Sequence, residues 1–329
     1  MAPKRWFDGR RGAPAPGVAA VAAVVFGAIG IGFAPVLVRL SSVGPVATAF
    51  WRIAIALAVL APVRLLRRSA PPVAGRERGV ASTLAFAGIF FAADLSLWHW
   101  ALLRTSVANA TFLSNLAPVF VAFAGWLLFR GRVSGALLIG LAVAMPGAML
   151  LVRGNAMLSP TSLAGDGLAV LSAVSYAGYL LTVKHGRRKV SALEVLVGSG
   201  IVSAPLLLTV ALLAGERIVP DDARGWLVVV ALGVVCHVAG QGLIAHGMDR
   251  LTAAFSSLVL LVQPLFAALL GWVVLGETLT LLQGLGGALV VLGVSVGRRD
   301  GVERSAEGAP AADGGKTRRA SETLRSQEH

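Results

Sequence analysis

Apolar residues run along this chain in long blocks rather than alternating with polar ones. A membrane-spanning helix needs about 20 mostly apolar residues, because each adds 1.5 Å across a hydrocarbon core about 30 Å thick. Ten blocks of that kind, bounded by Arg, Gly and Pro, lie near 18–38, 45–63, 80–100, 106–128, 134–152, 167–184, 193–214, 225–246, 252–275 and 281–297. The longest connections, 64–79 and 153–166, are too short for a folded extramembrane domain. The expected fold class is an all-α polytopic membrane protein of ten transmembrane helices.

Composition sharpens this picture. Of 329 residues, 56% are hydrophobic and 14% charged, with mean hydropathy +0.79. Soluble domains carry roughly 25% charged residues, so a soluble enzyme is excluded. The formal charge of +13 is compatible with nucleic acid or with a membrane's cytoplasmic side, and the positions of the cations decide. With the amino end inside, the inner segments hold 23 cations, whereas the outer ones hold only Arg39, Arg104, Arg153, Arg217 and Arg224. The positive-inside rule therefore places both termini in the cytoplasm and removes any need for a nucleic-acid partner.

Residues 1–17 are read as a cytoplasmic tail; Lys4, Arg5, Arg10 and Arg11 mimic a signal peptide, but the apolar run is long and nine more follow. Residues 298–329, rich in Gly, Ala, Ser and mixed charge, are expected to be a disordered cytoplasmic tail. Their Gly315-Lys316-Thr317 ending lacks the first glycine of a P-loop, since Pro310 stands there. A lone cysteine, Cys236, rules out an internal disulfide and a cysteine-rich metal site. No cofactor and no metal is expected.

The chain repeats itself. Pro118-x-Phe120-x-Ala122-x-x-Gly125-Trp126 recurs 146 residues on as Pro264-x-Phe266-x-Ala268-x-x-Gly271-Trp272. At the same offset Arg104 meets Arg250, Ala108 meets Ala254, Gly140 meets Gly286, Ala142 meets Ala288 and Gly147 meets Gly293. The two copies are 18–152 and 166–297. Five spans in each is an odd number, so the second copy must insert upside down. Inverted repeats are characteristic of secondary transporters, with the substrate site near the midplane between the halves.

Five plus five spans, the run Pro45-Val-Ala-Thr-Ala-Phe-Trp-Arg52 and the segments Leu97-Trp-His-Trp-Ala-Leu102 and Thr105-Ser-Val-Ala-Asn-Ala-Thr111 resemble the EamA-like branch of the drug/metabolite transporter superfamily. The resemblance covers about residues 18–297. It implies a transporter whose substrates include amino acids and other metabolites, and it sets the third and eighth spans beside the substrate path. The family's Gly-Glu junction is kept at Gly276-Glu277, whereas the first copy has Arg130-Gly131.

Ionisable side chains at membrane depth are costly and mark candidate sites. Arg52 lies about 12 Å from the outer end of the second span, and Asp94 about 9 Å from the outer end of the third. Their similar depth suggests an ion pair, either structural or shared with a substrate carboxylate, a substrate ammonium or a coupling proton. His99, between Trp98 and Trp100, reads as an interfacial histidine of an aromatic belt ahead of a gate or proton relay. His237 and Gln241 share a face of the eighth span, and Asp94 corresponds to Gly240, so the third and eighth spans put polar groups in pseudo-equivalent places.

Asn115 and Gln263 stand near Pro118 and Pro264, which free the Ser114 and Leu260 carbonyls; these need another partner or line a wet cavity. Tyr176 and Tyr179, with Ser172 and Ser175, add hydroxyls from the sixth span. Small residues such as Gly140, Ala144, Gly293 and Gly297 permit close helix contact, within the scaffold or in a dimer.

The leading reading is a secondary transporter exporting or exchanging a small polar metabolite such as an amino acid, with the bilayer and protons as its other partners. Import or exchange of a larger nucleoside-like or adenosylated solute is the alternative. An intramembrane enzyme using Ser199 with His237 or His246 is remote, because Val197-Gly198-Ser199-Gly200 lacks an intramembrane protease pattern.

Overall fold

In lipid an apolar segment must satisfy its backbone hydrogen bonds internally, so helices are what these blocks form. A computed structural model describes residues 16–66, 77–105, 107–129, 134–152, 163–275 and 280–307, and it is helical throughout, with no strand among the described residues. Both tail ends, the loop 67–76 and the Arg130-Gly131 and Gly276-Glu277 junctions lie outside the described residues. Among the described residues nine helices are long and apolar enough to cross a membrane; Gly135–Leu151 is a shorter apolar helix that supplies the remaining span.

Five spans are uninterrupted helices near their predicted limits: the second (Pro45–Leu66), third (Glu77–Arg104), fifth (Gly135–Val152), sixth (Leu163–Arg187) and seventh (Ala192–Leu213). The tenth runs from Leu281 to Glu307, ten residues into the segment expected to be disordered. Extending a formed helix needs no new nucleation, which explains why charged residues continue it.

Four spans are interrupted. The first breaks at Phe33 into Pro16–Gly32 and Ala34–Arg39, ahead of Pro35. The fourth breaks between Val107–Ser114 and Ala117–Phe129, and the ninth between Ala253–Val259 and Val262–Leu275. Those two breaks, at Asn115-Leu116 and Leu260-Leu261, fall within one position of each other at the repeat offset, each just before its proline. The eighth span is α-helical over Ala223–Ala231 and Gly242–Gly247 but a π-helix over Leu232–Gln241. Such wide turns concentrate at functional sites.

Packing follows the inverted repeat. The third span packs chiefly on the sixth, and the first on the eighth, which is the same contact turned over; the second packs on the seventh and the fifth on the tenth. Each helix thus finds its main partner in the other copy, and the halves interlock. The fifth and tenth spans cross on glycine: a methyl at Gly147 would fall 2.7 Å from the Gly286 carbonyl oxygen, and one at Gly293 would fall 2.5 Å from that of Gly140. The small-residue stripe is therefore used inside one chain, where backbones pack directly.

Segments expected on the same side of the bilayer meet. On the outer side Gly44 N–H donates to the Arg217 carbonyl (3.0 Å), Ala47 N–H to Glu216 Oε2 (2.8 Å) and Trp51 Nε1 to the Ile218 carbonyl (2.7 Å). On the inner side Lys184 Nζ donates to the Met248 carbonyl at 2.6 Å, and Arg187 pairs with Asp249 at 3.5 Å. Trp126 and Trp272, which close the repeated motif, are both more than half exposed and face outward from the bundle.

Candidate substrate site

The third span carries Phe91, Asp94, Leu95 and Trp98 at the i, i+3, i+4, i+7 spacing of a single helical face. That face borders a cavity of about 850 Å³, counted to where it opens to solvent. Beside it the sixth span contributes Ser172, Tyr176 and Leu180, again at four-residue intervals. The interrupted fourth and ninth spans supply Asn115 and Pro118 from one copy and Ser257, Gln263 and Pro264 from the other. Arg52 of the second span and Gln241 of the eighth complete the polar lining. Six of the eight sequence candidates, Arg52, Asp94, Asn115, Tyr176, Gln241 and Gln263, are thus brought together.

The expected Arg52–Asp94 ion pair is not formed: the two side chains share the wall without a salt bridge. Adjacency in sequence suggested the pair, but the second and third spans touch only lightly and each has its main partner in the other copy. Asp94 instead accepts a 2.6 Å hydrogen bond from Ser172 Oγ, which is fully buried. The Arg52 guanidinium carbon stands 5.9 Å from the centre of the Phe91 ring, a cation–π contact. Its Nε is buried without a hydrogen-bond partner. A guanidinium and a carboxylate, each incompletely paired, therefore face one cavity.

Behind Phe91 lies an aromatic column. Phe91 stacks on Tyr179 at 4.5 Å, and Tyr179 on Tyr176 at 5.8 Å. The Tyr176 hydroxyl sits beside the Gln241 side chain, and both groups are buried. On the same wall Arg52, Tyr176 and Gln241 set buried polar atoms beside the cavity.

The remaining two candidates stand off the wall. His99 is 1% exposed, not interfacial; its Nδ1 lies 2.6 Å from the Leu95 carbonyl of its own helix, and its ring meets Trp98 edge-on. His237 packs 5.5 Å behind Phe91, which occupies the wall position expected for the histidine. Of the two proline-freed carbonyls, that of Leu260 finds a partner. The Leu260 carbonyl accepts Gln263 N–H at 2.9 Å, while Asn115 Nδ2 is turned onto the Thr111 carbonyl at 2.7 Å. Ser199 donates to its own helix, at 2.7 Å to the Val195 carbonyl, so no serine–histidine dyad is assembled. Phe91 and Ser257 were not singled out in the sequence; the shared face with Asp94 is the signal that finds Phe91.

The sequence matches the model of the EamA-like transporter family twice, over residues 18–153 and 163–297. Among curated proteins, an uncharacterized transporter of Archaeoglobus fulgidus is 29% identical over 218 residues, covering 66% of this chain and 77% of that one. The pseudopaline exporter CntI of Pseudomonas aeruginosa is 26% identical over 230 residues, covering 70% and 78%. An uncharacterized Pseudomonas aeruginosa protein is 30% identical over 252 residues, covering 74% and 82%. A solved crystal structure superposes with a TM-score of 0.73 at 20% identity, covering 87% of this chain and 98% of that one, which supports the fold alone.

Proposed function

This chain belongs to the EamA-like transporter family, and from that premise we propose that it moves a small polar metabolite such as an amino acid outward, or by exchange, across a bacterial inner membrane. The protein is a multi-pass membrane transporter and not an enzyme. Its cycle is alternating access between the two copies, with both termini in the cytoplasm, as the cation distribution supports.

The observation that carries the substrate reading is the single wall on which Arg52 and Asp94 stand unpaired with each other. Arg52 suits a carboxylate, which a planar guanidinium binds in bidentate fashion. Asp94, held by Ser172, suits an ammonium group or a coupling proton. Tyr176, Gln241, Asn115 and Gln263 offer hydrogen bonds to the rest of the molecule. Export is the direction borne by the name of one relative.

A second reading is favoured by the aromatic wall. Phe91, Trp98 and Tyr176 border the cavity, and such aromatic faces suit stacking on a nucleoside-like or adenosylated solute. Counterflow in proteoliposomes against a pooled metabolite library, with and without a pH gradient, separates the two. A saturable amino-acid signal supports the first reading, a nucleoside signal the second, and no flux for any solute contradicts both.

A further inference from the structure

The inverted repeat allows the two ends of the cavity to be compared position by position, because a residue and its counterpart 146 positions on stand at opposite faces of the bilayer. At the inner end Val183, Met248 and Leu251 are 1% exposed or less. Their outer counterparts, Leu37, Leu102 and Thr105, are all partly exposed. The inner end is sealed and the outer end is looser.

The polar contacts that join the first and third spans, or their counterparts the sixth and eighth, also differ between the two ends. At the inner end the sixth span lays two cations on the end of the eighth. Lys184 Nζ donates to the carbonyls of Met248 (2.6 Å) and Asp249 (3.3 Å); Arg187 Nε donates to the Ala245 carbonyl (2.9 Å), and its Nη2 pairs with Asp249. The last carbonyls of a helix lack partners within it, and cations there also meet the negative end of the helix dipole. The outer counterparts of Lys184 and Arg187 are Val38 and Ser41. Val38 has no donor to offer, and the Ser41 hydroxyl is engaged with Thr48 at 2.8 Å. Among the described residues no equivalent cation-to-carbonyl contact ties the first span to the third.

The clamp also joins the two walls of the cavity. The sixth span packs on the third, which carries Asp94, and the eighth packs on the first. We infer that Lys184 and Arg187 are the inner gate of the transporter: bonded to the 245–249 carbonyls they hold the cavity shut toward the cytoplasm, and their release opens it inward. This rests on the transport reading above, and it names residues outside the cavity that set which face the cavity opens to. On release, water entering the inner vestibule takes over both the cations and the freed carbonyls, so no group is left unpaired.

The test needs no substrate. In a Cys236→Ser background, Ser114→Cys places a reporter thiol on the partly exposed cavity wall, and a membrane-impermeant maleimide is applied to inside-out or right-side-out vesicles. Combining Lys184→Met with Arg187→Met is expected to raise labelling from the inner face about tenfold, since several charge-assisted bonds are lost, and to lower labelling from the outer face. Lys184→Arg, which keeps charge and donors, is expected to stay near the parent rate.

Should the double variant fail to fold, Lys184→Cys with Asp249→Cys gives an independent reading: cross-linking the pair should suppress inner-face labelling, and reduction should restore it. Unchanged labelling from both faces in the folded double variant, or unchanged inner-face labelling after cross-linking, overturns the gate. Either result leaves the transport reading standing, because that fails only on counterflow.

Discussion

The Ser172 hydroxyl, from the second copy of the repeat, donates a 2.6 Å hydrogen bond to the Asp94 carboxylate of the first. Both residues are buried, and both lie on the cavity wall. One bond therefore orients the acidic group of the site and ties the third span to the sixth. Ser172→Ala is expected to lower the unfolding free energy of the detergent-solubilised protein by about 1.5–3 kcal/mol, the range for hydrogen bonds to charged groups. Adding Asp94→Asn should cost less than the sum of the single changes, and a double-mutant cycle on thermal melts checks the coupling.

The Gly147 and Gly286 backbones meet where the fifth and tenth spans cross. Gly147→Ala forces the helices apart and should destabilise the protein by roughly 1–3 kcal/mol, as overpacking does. Gly284→Ala, on the same tenth span with open space around it, is the control and should melt with the parent. Equal melting of the two variants would contradict the crossing described.

Much of the fold is legible in the sequence because the bilayer leaves little choice. Length and apolarity fix the helices, Pro118 and Pro264 mark the breaks in the fourth and ninth spans, and the offset of 146 marks the inversion. Pairing is less legible. Neighbours in sequence were read as neighbours in space, yet interlocking copies give Asp94 the partner Ser172 from across the repeat and leave Arg52 over Phe91. The π-helix of the eighth span has no local sequence signal; it arises where that helix packs on the first span, and Phe91 takes the wall position in front of His237. Flanking tryptophans suggest a belt histidine, whereas the His99 side chain turns into the bundle and is 1% exposed.

Glu216, in the outer loop between the seventh and eighth spans, accepts the Ala47 N–H at 2.8 Å at the start of the second span, five residues before Arg52. Burial pushes its carboxyl above the ordinary 4.5, outweighing its backbone hydrogen bonds. A raised native value means that this group favours the folded state most at low pH, and that the contribution is lost as pH rises from the unfolded value through the native one. Glu216→Gln keeps an acceptor without the charge and should flatten this part of the pH–stability curve. Glu216→Ala removes the cap and should cost about 1 kcal/mol. Melts between acid and neutral pH check both; a parallel fall in the parent and Glu216→Gln curves would contradict the assignment.

Proton coupling makes its own demand on Asp94. If this carboxyl carries the coupling proton, Asp94→Asn abolishes flux driven by a pH gradient while leaving exchange of solute for solute in place. Measuring both modes in the same vesicles checks this. Full gradient-driven flux in the variant removes the proton from the mechanism.

The central claim is that the wall shared by Arg52 and Asp94 binds the transported solute, and counterflow of whichever solute the pooled screen identifies tests it most directly. Arg52→Gln is expected to reduce saturable flux at least roughly tenfold, corresponding to loss of a charge-assisted interaction. Arg52→Lys should retain part of the flux and Gly284→Ala all of it. Full counterflow by folded Arg52→Gln, with affinity for the solute unchanged, would contradict the account.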